Sequence, residues 1–205
     1  MAMTPNQEKQ FNPVNYADPM VGRILDAAEQ CIHRFGIRKT SMGEIARVGK
    51  LSRGSIYRHF ADKEALVEGV FRRRQEEFLN QAEASLTLEP TLVDKLTYSI
   101  VQGRLDRQQG IFSSLAETEP ETVAMMFLDS RFYARSIEFW PPHILMAQKS
   151  GEISADVPVA LAADFIMRLA VSMVMFPQMG LNVDSESEVR AYINQVLGSG
   201  LGAAA

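Results

Sequence analysis

Between residues 40 and 63 the chain sets out hydroxyls, guanidiniums, ammonium groups, a phenol and an imidazole at short intervals: Thr40, Ser41, Lys50, Ser52, Arg53, Ser55, Tyr57, Arg58, His59 and Lys63. Such groups donate hydrogen bonds to phosphate oxygens and to the edges of bases. Gly54 lies among them without a side chain, so the backbone there can approach another surface closely. Ile45, Ala46, Leu51, Ile56 and Phe60 interleave with the polar set at helical spacing. They can pack inward while the polar residues face out. Two short helices around a tight turn at Gly49-Lys50-Leu51 would achieve this, and the second helix would fit a DNA major groove. The alternatives are ordinary ones. Arg53, Arg58 and Lys63 could be solvated charges and His59 a surface histidine. Tyr57 could pack between helices, a role that coexists with binding.

Charge supports the nucleic-acid reading. The whole chain carries −4, yet residues 21–63 hold nine basic and four acidic residues, or +5, while residues 64–205 hold eleven and nineteen, or −8. A basic module joined to an acidic body suits DNA binding at one end only. Enzymatic chemistry has no comparable footing. The G-x-S-x-G elbow, the phosphate-binding P-loop and H-E-x-x-H are all missing from the sequence. Cys31 and His33 stand too close together, and without partners, to read as a metal site. No catalytic residue, metal or cofactor is therefore expected. One cysteine in 205 residues suits a reducing compartment, and a cytoplasmic protein that neither spans nor binds a membrane is expected.

The elements that must position these residues are helices throughout, which gives an all-α fold class. Ile24, Leu25, Ala28, Ile32 and Phe35 recur at three and four, predicting a helix over 21–35 closed by Gly36. Thr40 or Ser41 can cap the next helix, and Ser41 with Glu44 has capping-box spacing. Ser52 caps a short helix through His59, and Asp62 caps a longer one over 63–86. Beyond Pro90, helices are expected over 91–107, 108–116, from Pro120 to about 128, and onward through Ile137. The prolines 141 and 142 should stop that pattern. Helices over 143–149, 159–176 and 185–197 complete the chain, with Pro177 and Gly180 ending the penultimate one. The domain reading is a flexible arm over 1–19, a DNA-binding head over 20–66, a helical body over 67–198 and a loose tail over 199–205.

The run G-S-I-Y-R-H-F-x-x-K-E-x-L from Gly54 to Leu66, preceded by Ile45-Ala46 and Leu51-Ser52, closely resembles the tetracycline-repressor-like (TetR) family. The resemblance covers residues 21–66, and the remainder matches only in helical pattern. It implies a three-helix DNA-binding head and an all-helical ligand-binding and dimerisation body. It also implies a homodimer on a palindromic double-stranded DNA operator, most often a repressor released by an effector. By position, Thr40 and Ser41 would meet phosphate, Arg53, Gly54 and Ser55 would face bases, and Tyr57 and His59, with Arg58 beside them, would grip phosphates. Lys63 would hold a phosphate from the start of the fourth helix. One departure stands out. The family usually has Ala-Gly in the turn, and here it is Gly49-Lys50, so Lys50 occupies the position that turns left-handed, at a cost on the order of 1 kcal/mol. Lys50 could add a phosphate contact, and Gly49 could let the turn rearrange.

The acidic body is rich in methionine and aromatics, which suit an adaptable apolar cavity; plain core packing is the alternative for each one. Arg104, Phe112, Met126, Tyr133, Trp140, His143 and Phe165 are the candidate effector contacts, and a mostly apolar small-molecule effector is expected. The last two helices are expected to form the homodimer interface. Ala160, Ala163, Ile166, Met167, Ala170 and Val174 offer more apolar surface than one packing face needs. The alternative is a helix buried on all sides within one chain.

Overall fold

A computed structural model describes residues 14–176 and 180–200. Eleven helices and no strands occur among them: α1 Pro19–Lys39, α2 Met42–Gly49, α3 Arg53–His59, α4 Lys63–Leu86, α5 Leu92–Arg107, α6 Gly110–Thr118, α7 Pro120–Phe127, α8 Ser130–Ile137, α9 Pro141–Lys149, α10 Val159–Met175 and α11 Glu186–Gly200. The all-helical expectation holds. None of these helices is long and apolar enough to cross a membrane. The chain divides into two compact units, one ending at Phe71 and one beginning at Arg72.

In the first unit each helix starts on a side-chain cap, because the first amides of a helix have no partner within it. Asp18 accepts from the Met20 amide at 2.8 Å, Ser41 from Glu44 at 3.2 Å, Ser52 from Ser55 at 3.0 Å and Asp62 from Ala65 at 2.8 Å. Asp18 and Pro19 thus begin α1 two residues before the sequence expectation, with proline in the first turn, where its missing N–H is harmless. The rest of the expected arm, residues 1–13, lies outside the described residues. Gly36 interrupts α1 as expected of a residue tolerant of positive φ, at φ +77°.

The apolar side of this unit is built from Val21, Ile24, Leu25, Ala28 and Ile32 of α1, Ile45 of α2, Ile56 of α3, and Phe60, Leu66 and Val70, all fully buried. Each large aliphatic side chain so buried contributes about 1.5–3 kcal/mol. Cys31 belongs to the same layer. Burial, and then the charge of Glu44, push its thiol above the usual range.

The turn between α2 and α3 keeps its left-handed residue. Lys50 adopts φ +52°, ψ +45°, and it is the one non-glycine at positive φ among the described residues. Its amide donates toward Arg47, and the Leu51 amide donates to Ala46 at 2.9 Å. Gly49 does not rearrange the turn; it serves packing. A Cβ there would lie 2.9 Å from the Ala27 Cβ and 3.0 Å from Leu51 Cδ1, so α1 and α2 approach too closely for any side chain. Lys50→Gly is therefore expected to stabilise the unit by about 0.5–1 kcal/mol, read as a higher denaturation midpoint.

The second unit is organised on α5. Leu96 and Ile100 of α5 join Trp140, Ile144, Ile166, Val189 and Ile193 in one buried cluster, so α9, α10 and α11 pack against it. Glu152 caps α5 by accepting from the Leu92 and Val93 amides at 2.8 and 3.0 Å. Gln75 of α4 donates to the Phe132 carbonyl and the Ser136 hydroxyl at 2.8 and 2.6 Å, tying α4 to α8. Pro141 and Pro142 do not precede α9 as expected; they form its first turn, where two missing amides cost nothing. The helical pattern before them is cut at Asp129, which caps α8 through the Arg131 and Phe132 amides. Arg131 holds that carboxyl down to about 2. Pro177 lies outside the described residues. α11 runs through Gly200, beyond the expected end at 197 and into the first residues of the expected tail.

Candidate nucleic-acid interface

α3 has two faces. Ile56 points into the core with no exposure, and Phe60 follows it inward at the end of the helix. Arg53, Gly54, Tyr57 and Arg58 are exposed, Tyr57 at 51%, and Ser55 and His59 are half-buried. Ser52 accepts from the Ser55 amide and donates its own hydroxyl to Ser55 Oγ at 3.0 Å. That leaves the Ser55 proton free to turn outward.

What marks this face is the clustering of unpaired donors, since Arg23, Lys39 and Lys149 are also exposed without a partner but lie apart from one another in the sequence. The side chains of Lys50, Arg53, Tyr57, Arg58 and His59 make no hydrogen bond or ion pair among the described residues. Arg47, one helix earlier and also exposed, is held by Glu44 at 2.6 and 3.2 Å. The same is true through the second unit, where Arg72, Arg74, Arg131, Arg168 and Arg190 all carry carboxylate partners. Donors kept free of internal partners lose no internal bond when they bind phosphate or a base edge.

The remaining residues of the expected site fall into place unequally. Ser41 sits exposed at the start of α2 and uses its oxygen as a cap. Lys63, in the first turn of α4, donates one Nζ proton to the Ile37 carbonyl at 3.3 Å and has two left. Thr40 departs from the expectation. It is 2% exposed, and its hydroxyl donates to the Gly36 carbonyl at 2.7 Å, closing the break in α1. Its side chain does not present itself at the surface. Gly54 has open space around it: the nearest atom to a Cβ there would be Ser52 Oγ at 3.9 Å, so the fold itself does not ask for glycine. Gly43 was missed by sequence reasoning. A Cβ at Gly43 would lie 2.5 Å from an Arg53 Nη and 3.1 Å from its Cζ. The available signal was a glycine inside a helix of eight residues, which costs about 1 kcal/mol relative to alanine and so marks a close approach.

Of the seven effector candidates of the second unit, Trp140 lies in the buried cluster around α5, with Tyr133 and Phe165 packed against it. Trp140 and His143 are buried with Phe139 in an edge-packed aromatic cluster, the His143 Nε2 lying 3.4 Å from the Glu83 carboxylate. Arg104 pairs with Asp184 at 2.6 Å and donates to the Met173 carbonyl at 3.1 Å, so it closes the C-terminal end of α10 beside Arg107. Tyr133 donates to Asp164, which Arg168 also holds. Phe165 packs on the core cluster and Met126 is half-buried on α7. Phe112 alone of the seven lines the cleft of about 240 Å³ found between α4, α5 and the start of α6. Its other walls include Phe78 and Ile111, with Arg74, Glu77, Asp106 and Gln109 supplying polar groups.

Residues 24–70, which span the unit carrying the unpaired face, match the family model for bacterial regulatory proteins of the tetR family. These residues form a DNA-binding domain of the TetR family. The HTH-type transcriptional regulator UidR of Escherichia coli K12 is 28% identical over 167 residues, covering 77% of this chain and 81% of that protein. The solved structure of Salmonella enterica GusR is 26% identical with a TM-score of 0.61, covering 93% of this chain and 99% of the other. Bacillus subtilis FadR, solved in complex with stearoyl-CoA, shares the fold at 20% identity and a TM-score of 0.61, over 88% of this chain and 98% of that one. With this domain and these relatives, the chain is a DNA-binding transcriptional regulator with a helix-turn-helix, here α2 and α3, and not an enzyme.

Proposed function

We propose that this regulator represses transcription by seating α3 in the major groove of an inverted-repeat operator, as a homodimer that a small-molecule effector releases. The observation that carries the reading is the unpaired donor set on the outward face of α3. Arg53, Gly54 and Ser55 meet base edges, while Ser41, Lys50, Ser52, Tyr57, Arg58, His59 and Lys63 meet phosphates. Thr40 supports the start of α2 from beneath rather than touching DNA. Lys50 extends this footprint, so Lys50→Gly, though stabilising, should lower the slope of log affinity against log salt by about one per site.

Dimerisation through α10 and α11 rests on fewer residues than their composition suggests. Ala163, Ile166, Met167 and Val174 are taken up by the chain's own core. Leu161 and Phe176, 59% and 61% exposed, and Tyr192 of α11 remain outward. They are the apolar surface a second copy would cover. The cleft beside Phe112 favours an amphipathic effector over a wholly apolar one, because charged and amide groups share its lining with Phe78 and Ile111.

The deciding experiment is protection of an inverted repeat in the DNA flanking the protein's own gene, or elsewhere in its genome. Failure to protect any such repeat removes the regulator mechanism proposed here. A companion variant, Gly54→Ala, should raise helix stability by about 0.5–1 kcal/mol yet weaken operator binding, because a methyl group would intrude where the backbone meets DNA. Unimpaired binding by this variant argues against that close approach.

A further inference from the structure

Three guanidinium atoms of Arg53 lie across the place where a side chain at position 43 would begin. A Cβ on Gly43 would stand 2.5 Å from Nη, 3.1 Å from Cζ and 3.3 Å from Nε. One edge of the fork, from Nε through Cζ to an Nη, occupies the space. Nothing polar fixes it there, since the Arg53 side chain makes no hydrogen bond or ion pair among the described residues. Nor does α2 attract it, because the first turn of a helix carries the positive end of the dipole. The fork lies on Gly43 because Gly43 leaves a bare stretch of backbone on which a flat group can rest.

We infer that Gly43 is a positioning residue that determines which base pair Arg53 reads. This rests on the proposal that α3 reads DNA. Bidentate recognition of a base edge requires the two donors of the guanidinium to arrive in one plane at one place. An arginine already lying at the seam between α2 and α3 loses less side-chain freedom on binding than one sweeping through solvent. A methyl group at position 43 demands about 3.5 Å of clearance, so the fork must move by about an ångström. The fold tolerates that move, because only the far end of a flexible exposed side chain has to give. Alanine is also the better helix former. Gly43→Ala therefore separates stability from recognition: the protein becomes no less stable and reads its operator less well.

The test uses the full chain and a duplex selected by that chain from a randomised library. Affinity and base preference are measured for the wild type, Gly43→Ala, Arg53→Ala and the double variant. Gly43→Ala should weaken binding about five- to tenfold and flatten preference at the same base pair that Arg53→Ala flattens, with an unchanged or higher denaturation midpoint. In the Arg53→Ala background the same substitution should change affinity less than about twofold. An equal loss in both backgrounds, or no loss in the wild type, overturns the inference. Tyr57→Ala, which leaves the Gly43–Arg53 pair intact, reports separately on α3. If it retains wild-type binding, the underlying reading of α3 fails and the inference with it. If it loses binding while Gly43→Ala does not, only the positioning role falls.

Discussion

Replacing Arg53 and Tyr57 together by alanine is expected to abolish operator binding while leaving the fold intact. Both side chains are exposed and neither bonds to the rest of the chain among the described residues. Removing them should therefore change stability by no more than about 0.5 kcal/mol. Their loss at the interface is another matter. An arginine on a base edge contributes about 1–3 kcal/mol of discrimination, and a phenol bonded to a charged phosphate about 1.5–3 kcal/mol. Together they amount to about 10²–10⁴-fold in affinity for each half-site. The check is a quantitative mobility shift beside a denaturation curve. Unchanged binding would show that another surface recognises DNA. Lost binding with a collapsed denaturation curve would mean that these residues hold the head together, against their exposure.

Phe60→Ala should lose binding by the opposite route. Phe60 is fully buried, and its amide donates to Ile56 at 2.9 Å to close α3. Its ring passes so near α4 that a Cβ at Gly69 would lie 2.8 Å from Cε1. Truncating a buried phenylalanine costs about 3–5 kcal/mol, part of it for the cavity left behind. Phe60 is the largest fully buried side chain among the described residues, so its loss leaves the largest space to refill. The denaturant midpoint of the head should fall accordingly, with DNA binding falling in parallel. A measured cost below about 1 kcal/mol would mean that α3 is held by something other than this ring. The two variants separate recognition from support, which a loss of binding alone cannot do.

Much of this arrangement was legible in the residues because it is local. Ser41, Ser52 and Asp62 announce helix starts through bonds that reach only three residues along the chain. Gly36 announces a break through its own φ. The split of α3 into Ile56 on one side and Arg53, Tyr57 and Arg58 on the other follows from periodicity. Less legible are the places where a partner distant in sequence or out of register decides what a side chain holds. Thr40 has the residue type of a phosphate contact, yet its hydroxyl is claimed by a carbonyl four residues back across the break in α1. Arg104 has the look of a polar handle in a pocket, yet it is claimed by carbonyls and a carboxylate about seventy to eighty residues away. Trp140 and His143 are buried against Phe139, Trp140 edge-on and His143 tilted. Part of the apolar surface of α10, Ala163, Ile166 and Met167, is taken up by the cluster around α5. Whether a residue type is free to act depends on what it already holds, and tertiary packing settles that.

Cys31 carries a practical consequence. It is the chain's sole cysteine, it is buried in the layer built by α1 and α2, and its thiol resists ionisation. An alkylating reagent needs an accessible thiolate, so it can reach this sulfur only during excursions in which the head opens. The alkylation rate is then a clock for those excursions, native to the protein and needing no introduced label. Whatever holds the head closed, operator DNA included, will slow that clock by the free energy it contributes.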